Sequence, residues 1–311
     1  MSIIKLLKKP VRNVKYWLKY LVMWWKMSIF APKFDKYRKM RIKNIALYLM
    51  FSMVVLSSCG EYNKLLKSND PDEKYDYAKI YYEQGKYAKA ATLLSDVVPI
   101  YRGTEEAENA LWLLAMSYFK QKDYLSAGEY FVRYANNYPR GEHAMESRFN
   151  VAYGDYKDSP DARLDQEITR RAIKEIDSFV DIYPHSSLAD SAAIMRLELT
   201  DKLCYKEYLS AKLYLNLGSY MGNNYESAVI TARNAQNEFP YSKYREDLAY
   251  IIFRARYEAA MNSIDEKAED RLREASDEYY TFINDYPEGK YSKEVNRLNE
   301  RIQKKLAAYI D

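Results

Sequence analysis

Thiols and imidazoles are the side chains most able to act as nucleophiles, bases or metal ligands. This 311-residue sequence has four: Cys59, Cys204, His143 and His185. They stand far apart, and no HExxH, CxxC, GxSxG or Gly-rich phosphate loop surrounds them. His143 and His185 each follow a proline by a few residues and read as polar turn residues. Acidic pairs such as Glu105-Glu106 and Asp165/Glu167 read as solvated faces. No residue is therefore expected to be catalytic or to bind metal, and no enzyme is expected.

Cys59 has a different context. Arg38, Lys39, Arg41 and Lys43 form a positive cluster, residues 45–56 are uncharged and mostly apolar, and Leu56-Ser57-Ser58-Cys59-Gly60 follows. These are the three regions of a secretory signal. Only 17 uncharged residues separate Lys43 from Glu61, the short limit for a transmembrane helix. Leu three before Cys, with small residues between, resembles a lipobox. In such signals the Cys thiol is diacylglycerated, and after cleavage Cys59 becomes the acylated N-terminus. This covalent N-acyl/diacylglycerol lipid is the only expected cofactor. Residues 40–58 are then the signal and 59–70 a lipidated tether. Residues 1–39 read as a start-site artefact or disordered extension, with translation beginning at Met40 rather than Met1. The alternative is an amphipathic membrane-surface segment around Trp17, Trp24 and Trp25. With Cys59 acylated, Cys204 has no disulfide partner and reads as a small buried hydrophobe.

The formal charge of +4 averages two unlike parts. Residues 1–58 hold 13 Lys/Arg and one acidic residue, Asp35, leaving 35 basic against 43 acidic residues after them, a net charge of −8. A nucleic-acid-binding function is excluded on that balance. Nine Gly and nine Pro against 33 Tyr argue against an all-β fold with many tight turns.

What positions these residues is a repeat. Ala127, Phe131, Tyr134 and Tyr138-Pro139 recur as Ala172, Ile176, Phe179, Tyr183-Pro184, as Ala228, Ala232, Ala235, Phe239-Pro240, and as Ala275, Tyr279, Phe282, Tyr286-Pro287. Ala and Pro are 12 apart each time, and Ala90, Leu94, Val97, Tyr101 repeats the rule with Arg102 in place of Pro. Steps of four and three set one helix face, and Pro ends the helix. A first helix precedes each copy: Ala78, Tyr81, Gly85, Tyr87 and, 37 later, Ala115, Tyr118, Lys122, Tyr124. The pattern resembles the tetratricopeptide repeat (TPR). It implies an all-α fold of about five helix-turn-helix units in a right-handed superhelix over 71–311. The Pro-to-Pro spacings of 45, 56 and 47 exceed the ~34 of an ideal repeat. The surplus is expected between helices, at 157–167, 219–224 and 263–271, and residues 292–310 read as a closing helix.

In TPR-like arrays the first helices line a concave surface that takes extended peptides. The register points Tyr75 and Tyr82, then Trp112, Met116 and Phe119, then Phe149, Tyr153 and Tyr156 into such a peptide-binding groove; the alternative is packing against the next helix.

Lipobox and five TPR-like units together resemble the BamD family of outer-membrane assembly lipoproteins. Three stretches carry the likeness: Asp76-Tyr-Ala-Lys with Gln84-Gly-Lys-Tyr-Ala-Lys-Ala, Phe179-Val-Asp-Ile-Tyr-Pro-His-Ser-Ser-Leu-Ala-Asp, and Lys202-Leu-Cys-Tyr-Lys-Glu-Tyr-Leu-Ser-Ala-Lys-Leu-Tyr214 with Gly218. The last is the most specific, because ordinary TPRs do not need Lys206-Glu207-Tyr208. The resemblance implies a scaffold of the β-barrel assembly complex, lipid-anchored on the periplasmic face of the outer membrane. Its partners would be a BamA-like barrel protein, docked near Glu207 and Tyr208, and unfolded outer-membrane proteins. Another cell-envelope TPR lipoprotein, serving uptake or envelope biogenesis, is the alternative.

Overall fold

A computed structural model describes Val22 and residues 62–309. Cys59, the signal region 40–58, residues 1–39 apart from Val22, and the expected lipid site lie outside the described residues. The chain divides at Ser68. In the first part residues 62–66 form a helical stretch, and Val22 is also helical. The second, Asn69–Asp311, holds all the helices below.

Eleven helices follow in sequence: α1 (Pro71–Glu83), α2 (Tyr87–Ile100), α3 (Ala107–Lys120), α4 (Tyr124–Asn137), α5 (Ala144–Asp158), α6 (Glu167–Ile182), α7 (Ala189–Leu217), α8 (Asn224–Glu238), α9 (Arg245–Met261), α10 (Asp265–Asp285) and α11 (Ser292–Ala307). They pair as α1/α2, α3/α4, α5/α6, α7/α8 and α9/α10, each packed on the next, with α11 closing the array. The fold is all-α, of five TPR-like units. No strand occurs among the described residues.

Each unit buries an alanine at the facing position of both helices: Ala78 and Ala90, Ala115 and Ala127, Ala152 and Ala172, Ala211 and Ala228, Ala255 and Ala275. Side chains this small let helix axes approach to ~8 Å, the near end of the usual range. Larger residues one turn away, such as Phe131, Ile176 and Leu272, fill the space beside them. The second helices stop alike. Tyr138, Tyr183, Phe239 and Tyr286 stand before Pro with φ of −127°, −127°, −122° and −135°, because proline disfavours helical geometry in the residue before it. In unit one Pro99 lies within the last turn of α2, and Tyr101 caps the helix.

The turns after proline are fastened by carboxylates from the first helix of the same unit. Glu108 accepts the Tyr134 hydroxyl and the Glu142 N–H (3.0 Å). Asp201 accepts the Ser242 hydroxyl (2.7 Å) and the Lys243 N–H (3.1 Å). Glu246 accepts the Tyr291 N–H (3.2 Å), and Asp247 accepts the Tyr291 hydroxyl (2.7 Å). In unit one Asp72 accepts the Tyr101 hydroxyl (2.6 Å). A small residue two after proline makes room: a Cβ on Gly141 would strike Glu108, and one on Gly289 would strike Glu246. Glu108, Glu246 and Asp247 lie in the first turns of their helices, where negative charge also meets the positive end of the helix dipole.

Two expected insertions differ. The surplus at 263–271 is mostly helix: only Asn262, Ser263 and Ile264 connect α9 to α10, and Ala268 and Leu272 are buried in its added turns. Ala, Glu, Lys, Arg and Leu all favour helix there. Much of unit four's surplus is the 29-residue α7, with a turn at 218–223. The 159–166 connection does lie between helices.

Gly85 and Lys122, 37 apart, both adopt positive φ (71° and 63°) to close the turn between paired helices. For lysine this conformation costs ~1–2 kcal/mol, which glycine avoids at some entropic cost of its own. Lys122→Gly is expected to raise stability by ~0.5–1 kcal/mol, read as a higher urea midpoint with unchanged slope.

The carboxylate contacts also set a pH dependence. Burial, then the hydrogen bond to its carboxylate, raises the ionisation of Tyr101, Tyr134 and Tyr291 well above the ordinary tyrosine value. A group with a raised folded pKa stabilises fully below its unfolded value, ~10, and loses that contribution as pH rises through the folded value. Unfolding free energy should therefore hold up to about pH 9 and fall above about pH 10. Tyr134→Phe should cost ~1 kcal/mol at neutral pH and make the alkaline fall shallower in urea titrations.

Candidate functional site: an aromatic ledge and a tyrosine-lined cleft

The eight residues expected to line a groove in the first three units fall into two groups. Tyr75 is buried, edge-on to Tyr101 at 5.2 Å, and burial raises its ionisation. It is therefore core rather than groove lining: the α1 register that turns it inward turns it against the end of α2. Tyr82 is half-buried and packs edge-on against Tyr87 at 5.4 Å.

The other six are half-buried and meet. Phe119 lies 5.9 Å from Tyr153, which lies 6.0 Å from Phe149 and 6.1 Å from Tyr156. Trp112 packs at 5.5 Å from Phe131, to which Phe119 also packs. Met116 lies on the same core cluster, with its sulfur 3.9 Å from the Asn150 amide nitrogen. Together they form an aromatic ledge across α3 and α5, part of each ring in the core and part open. Rings held on two sides are rigid, so little entropy is lost when a peptide covers the open part.

Sequence reasoning missed several members of this surface. His143 stacks on Trp112 at 4.1 Å and 8°. Glu198 accepts the Tyr156 hydroxyl at 2.5 Å, and that bond with burial moves the phenol up to about 12. The same contact brings α7 alongside, where Ile194 is 60% and Leu197 50% exposed. No signal marked these two, because α7 has a polar side chain in almost every turn. Lys157 lies over both Tyr153 and Tyr156 at 4.9 and 5.2 Å.

The second feature is a cleft of about 490 Å³ among α7, α8, α9 and α11. Tyr208, Tyr225, Tyr250 and Tyr291 line it, with Leu215 and Ile251, Lys212, and the charged group Arg254, Glu258 and Glu294. Tyr250 and Tyr291 stack at 4.1 Å and 12°, and Tyr208 lies parallel to Tyr244 at 6.2 Å. Arg254 reaches Glu258 at 2.6 Å and Glu294 at 3.0 Å. Lys212, 5.6 Å from the Tyr208 ring centre, has no carboxylate partner among the described residues. Tyr208 therefore lines the cleft; Glu207, its neighbour, is half-buried and does not.

Lys206 has a separate task. It donates to the Leu164 carbonyl (2.7 Å), while Lys202 donates to the Ser159 hydroxyl (2.7 Å) and carbonyl (3.2 Å). Two rungs of α7 thus hold the 159–166 connection, and burial lowers the Lys202 ionisation. Cys204 is fully buried and its thiol pushed up by burial. No three His, Cys, Asp or Glu converge as metal ligands, and no helix is long and apolar enough to cross a membrane, among the described residues.

These features define a helical-repeat scaffold, with aromatic surface in its first units and a cleft in its last. Residues 67–223 match the model of the YfiO family, described as outer membrane lipoproteins. That span is half of the chain, and the chain belongs to this family, which ties it to the outer membrane. A curated relative, an outer membrane protein assembly factor BamD of Aquifex aeolicus (strain VF5), is 27% identical over 209 residues. The match covers 65% of this chain and 65% of that relative's length. Similar solved structures include TPR-like repeats of a kinesin light chain from Podosopora anserina (14% identity, 70% of this chain and 96% of that one, TM-score 0.29). Another is the apo form of RapI (14% identity, 84% and 96%, TM-score 0.30).

Removing the Lys206 amine should loosen the connection it holds. Lys206→Met is expected to speed amide exchange at 161–166 about tenfold, the equivalent of ~1.4 kcal/mol. Lys206→Arg should stay near the wild-type rate by hydrogen-exchange mass spectrometry.

Proposed function

We propose that this protein is the lipid-anchored scaffold subunit of an outer-membrane β-barrel assembly complex. In this reading Cys59 carries the lipid and holds the chain on the periplasmic face of the outer membrane. Trp112, Met116, Phe119, Phe149, Tyr153 and Tyr156 receive segments of unfolded outer-membrane proteins. A BamA-like barrel subunit docks on the cleft that Tyr208 lines. The protein works by holding partners together, not by catalysis.

Family membership over the first three units and α7 carries the reading, and the Aquifex relative's name supplies the assembly role. The ledge and the cleft fit it physically. Each combines fixed aromatic rings with a few charges, the composition of binding hot spots. They lie in different units, so a substrate and a docked subunit can be held at once.

The test is to isolate the tagged mature chain from envelopes in mild detergent and identify what comes with it. A large barrel protein with periplasmic repeat domains is expected. Tyr208→Ala should lower its recovery about tenfold or more, as loss of an anchor worth ~1.4–2 kcal/mol would, with the melting temperature little changed. A clean preparation without a barrel protein, or one holding an uptake receptor, would remove the assembly role and leave the repeat scaffold.

A further inference from the structure

The first helices of units four and five and the closing helix run parallel. Along α7 and α9, Tyr208 meets Tyr244, and Lys212 and Leu215 then share the cleft with Arg254 and Glu258. Along α9 and α11, Asp247 meets Tyr291, Arg254 meets Glu294, and Tyr257 and Ala260 share a cluster with Leu298 and Ile302. The C-terminal ends of all three helices therefore lie at one edge of the array.

The turns at that edge carry four exposed apolar side chains, while Tyr241, 88% exposed, stands in the turn after α8 at the other edge. Met221 is 89% exposed and Tyr220 68% in the turn after α7, Ile264 63% in the turn after α9, and Tyr309 42% after α11. The first of these turns is built to present its tip. Asn224 N–H reaches the Gly218 carbonyl at 3.0 Å and its side chain the Tyr220 carbonyl at 2.7 Å, while Met221 holds a positive φ of 55°. No charged residue occurs from 213 to 225, in a chain that is 30% charged. At the α11 end Arg301, Lys304 and Lys305 are exposed on the last two turns, with no ion-pair partner among the described residues.

We propose that this edge is a membrane-contact surface, set against the anionic headgroups of a phospholipid bilayer. Tyrosine and aliphatic tips beside long cations are the composition of the water–lipid boundary, where rings sit at headgroup depth and Lys and Arg reach the phosphates. The tips stand on three separate turns, which suits a broad fluid surface better than a shaped protein pocket. Asp265 and Glu266, beside Ile264, oppose the attraction, so the headgroups are met chiefly at the α11 end. The inference rests on the reading that Cys59 tethers the chain to a membrane: a tether alone would leave the array free to tumble, and this edge would orient it.

The mature chain, isolated from envelopes, would be reconstituted into vesicles of phosphatidylcholine alone or mixed with phosphatidylglycerol. Lysines would then be labelled with an amine reagent and read by mass spectrometry. Flotation in both vesicle types reports the tether separately from the edge. Labelling of Lys304 and Lys305 is expected to fall severalfold in the anionic vesicles and recover at high salt, while exposed Lys174 on α6 stays constant. The double variant Tyr220→Asp, Met221→Asp should restore labelling toward the phosphatidylcholine level. Equal labelling in both vesicles would overturn the proposal, as would protection that appears only when other envelope proteins are present.

Discussion

The close approach of paired helices, set by buried alanines that face each other, is the constraint on which the rest of the structure depends. Ala115 and Ala127, or Ala211 and Ala228, are fully or almost fully buried, and a larger side chain there would force the helices apart. Once the axes are close, neighbouring residues on the same face reach the next unit. Phe131 can then touch Trp112 and Phe119 within its unit, and Phe119 can reach Tyr153 in the next. The aromatic ledge is thus a consequence of small residues elsewhere: its rings are held because the helices carrying them cannot slide.

The carboxylate contacts act at the second joint, between units. A carboxylate on a first helix fastens the turn that leaves the second, 34 residues on for Glu108 and Glu142 and 44 for Asp247 and Tyr291. These bonds satisfy turn N–H groups that would otherwise face the packed helix ends. Unit three has none of them: Ser147 and Ser186, in the corresponding helix and turn, have buried hydroxyls without a hydrogen-bond partner. Other contacts act there. Arg171 forks onto Asp155 at 2.7 and 2.6 Å, and α7 grips the 159–166 connection through Lys202 and Lys206. The join between the ledge-bearing and cleft-bearing units is therefore made by the apolar packing of α7 on unit three and by two long cations, rather than by a turn carboxylate.

Much of this was legible in the sequence, for identifiable reasons. The 12-residue Ala-to-Pro rule is local, and each part of it has a direct backbone or packing effect, so units, helix ends and closing helix follow from it. The Gly85-to-Lys122 exchange was visible as a break in the 37-residue offset, but only the backbone shows that Lys122 keeps the glycine-like conformation. Site residues were harder. A tyrosine on the inner face of a first helix can finish in the core, as Tyr75 does, or half open, as Tyr153 does; which one depends on the end of the neighbouring helix, not on its own register. Glu198 and His143 join the ledge through contacts made across turns and units, and single-helix periodicity carries no trace of these. Residues 263–271 looked like a connection because they are highly charged, yet 265–271 are helix, with Ala268 and the next residue, Leu272, buried on its inner face.

The length of α7 connects these observations. At 29 residues it is about twice as long as α1, α3 or α5. Its first half packs with unit three, where Ala192, Met195 and Leu199 share a core cluster with Ile176 and Phe179. Its second half packs with α8 and α9, through Leu203, Cys204 and Ala211. One helix therefore contributes Glu198 to the ledge, Lys206 to the connection, and Tyr208 and Lys212 to the cleft. An unbroken helix has a fixed rise of ~1.5 Å per residue, so the ten residues from Glu198 to Tyr208 set the spacing between the two surfaces at ~15 Å. A scaffold that must present two partners in fixed relation needs such a rigid element, and a turn in its place would let each surface move independently of the other.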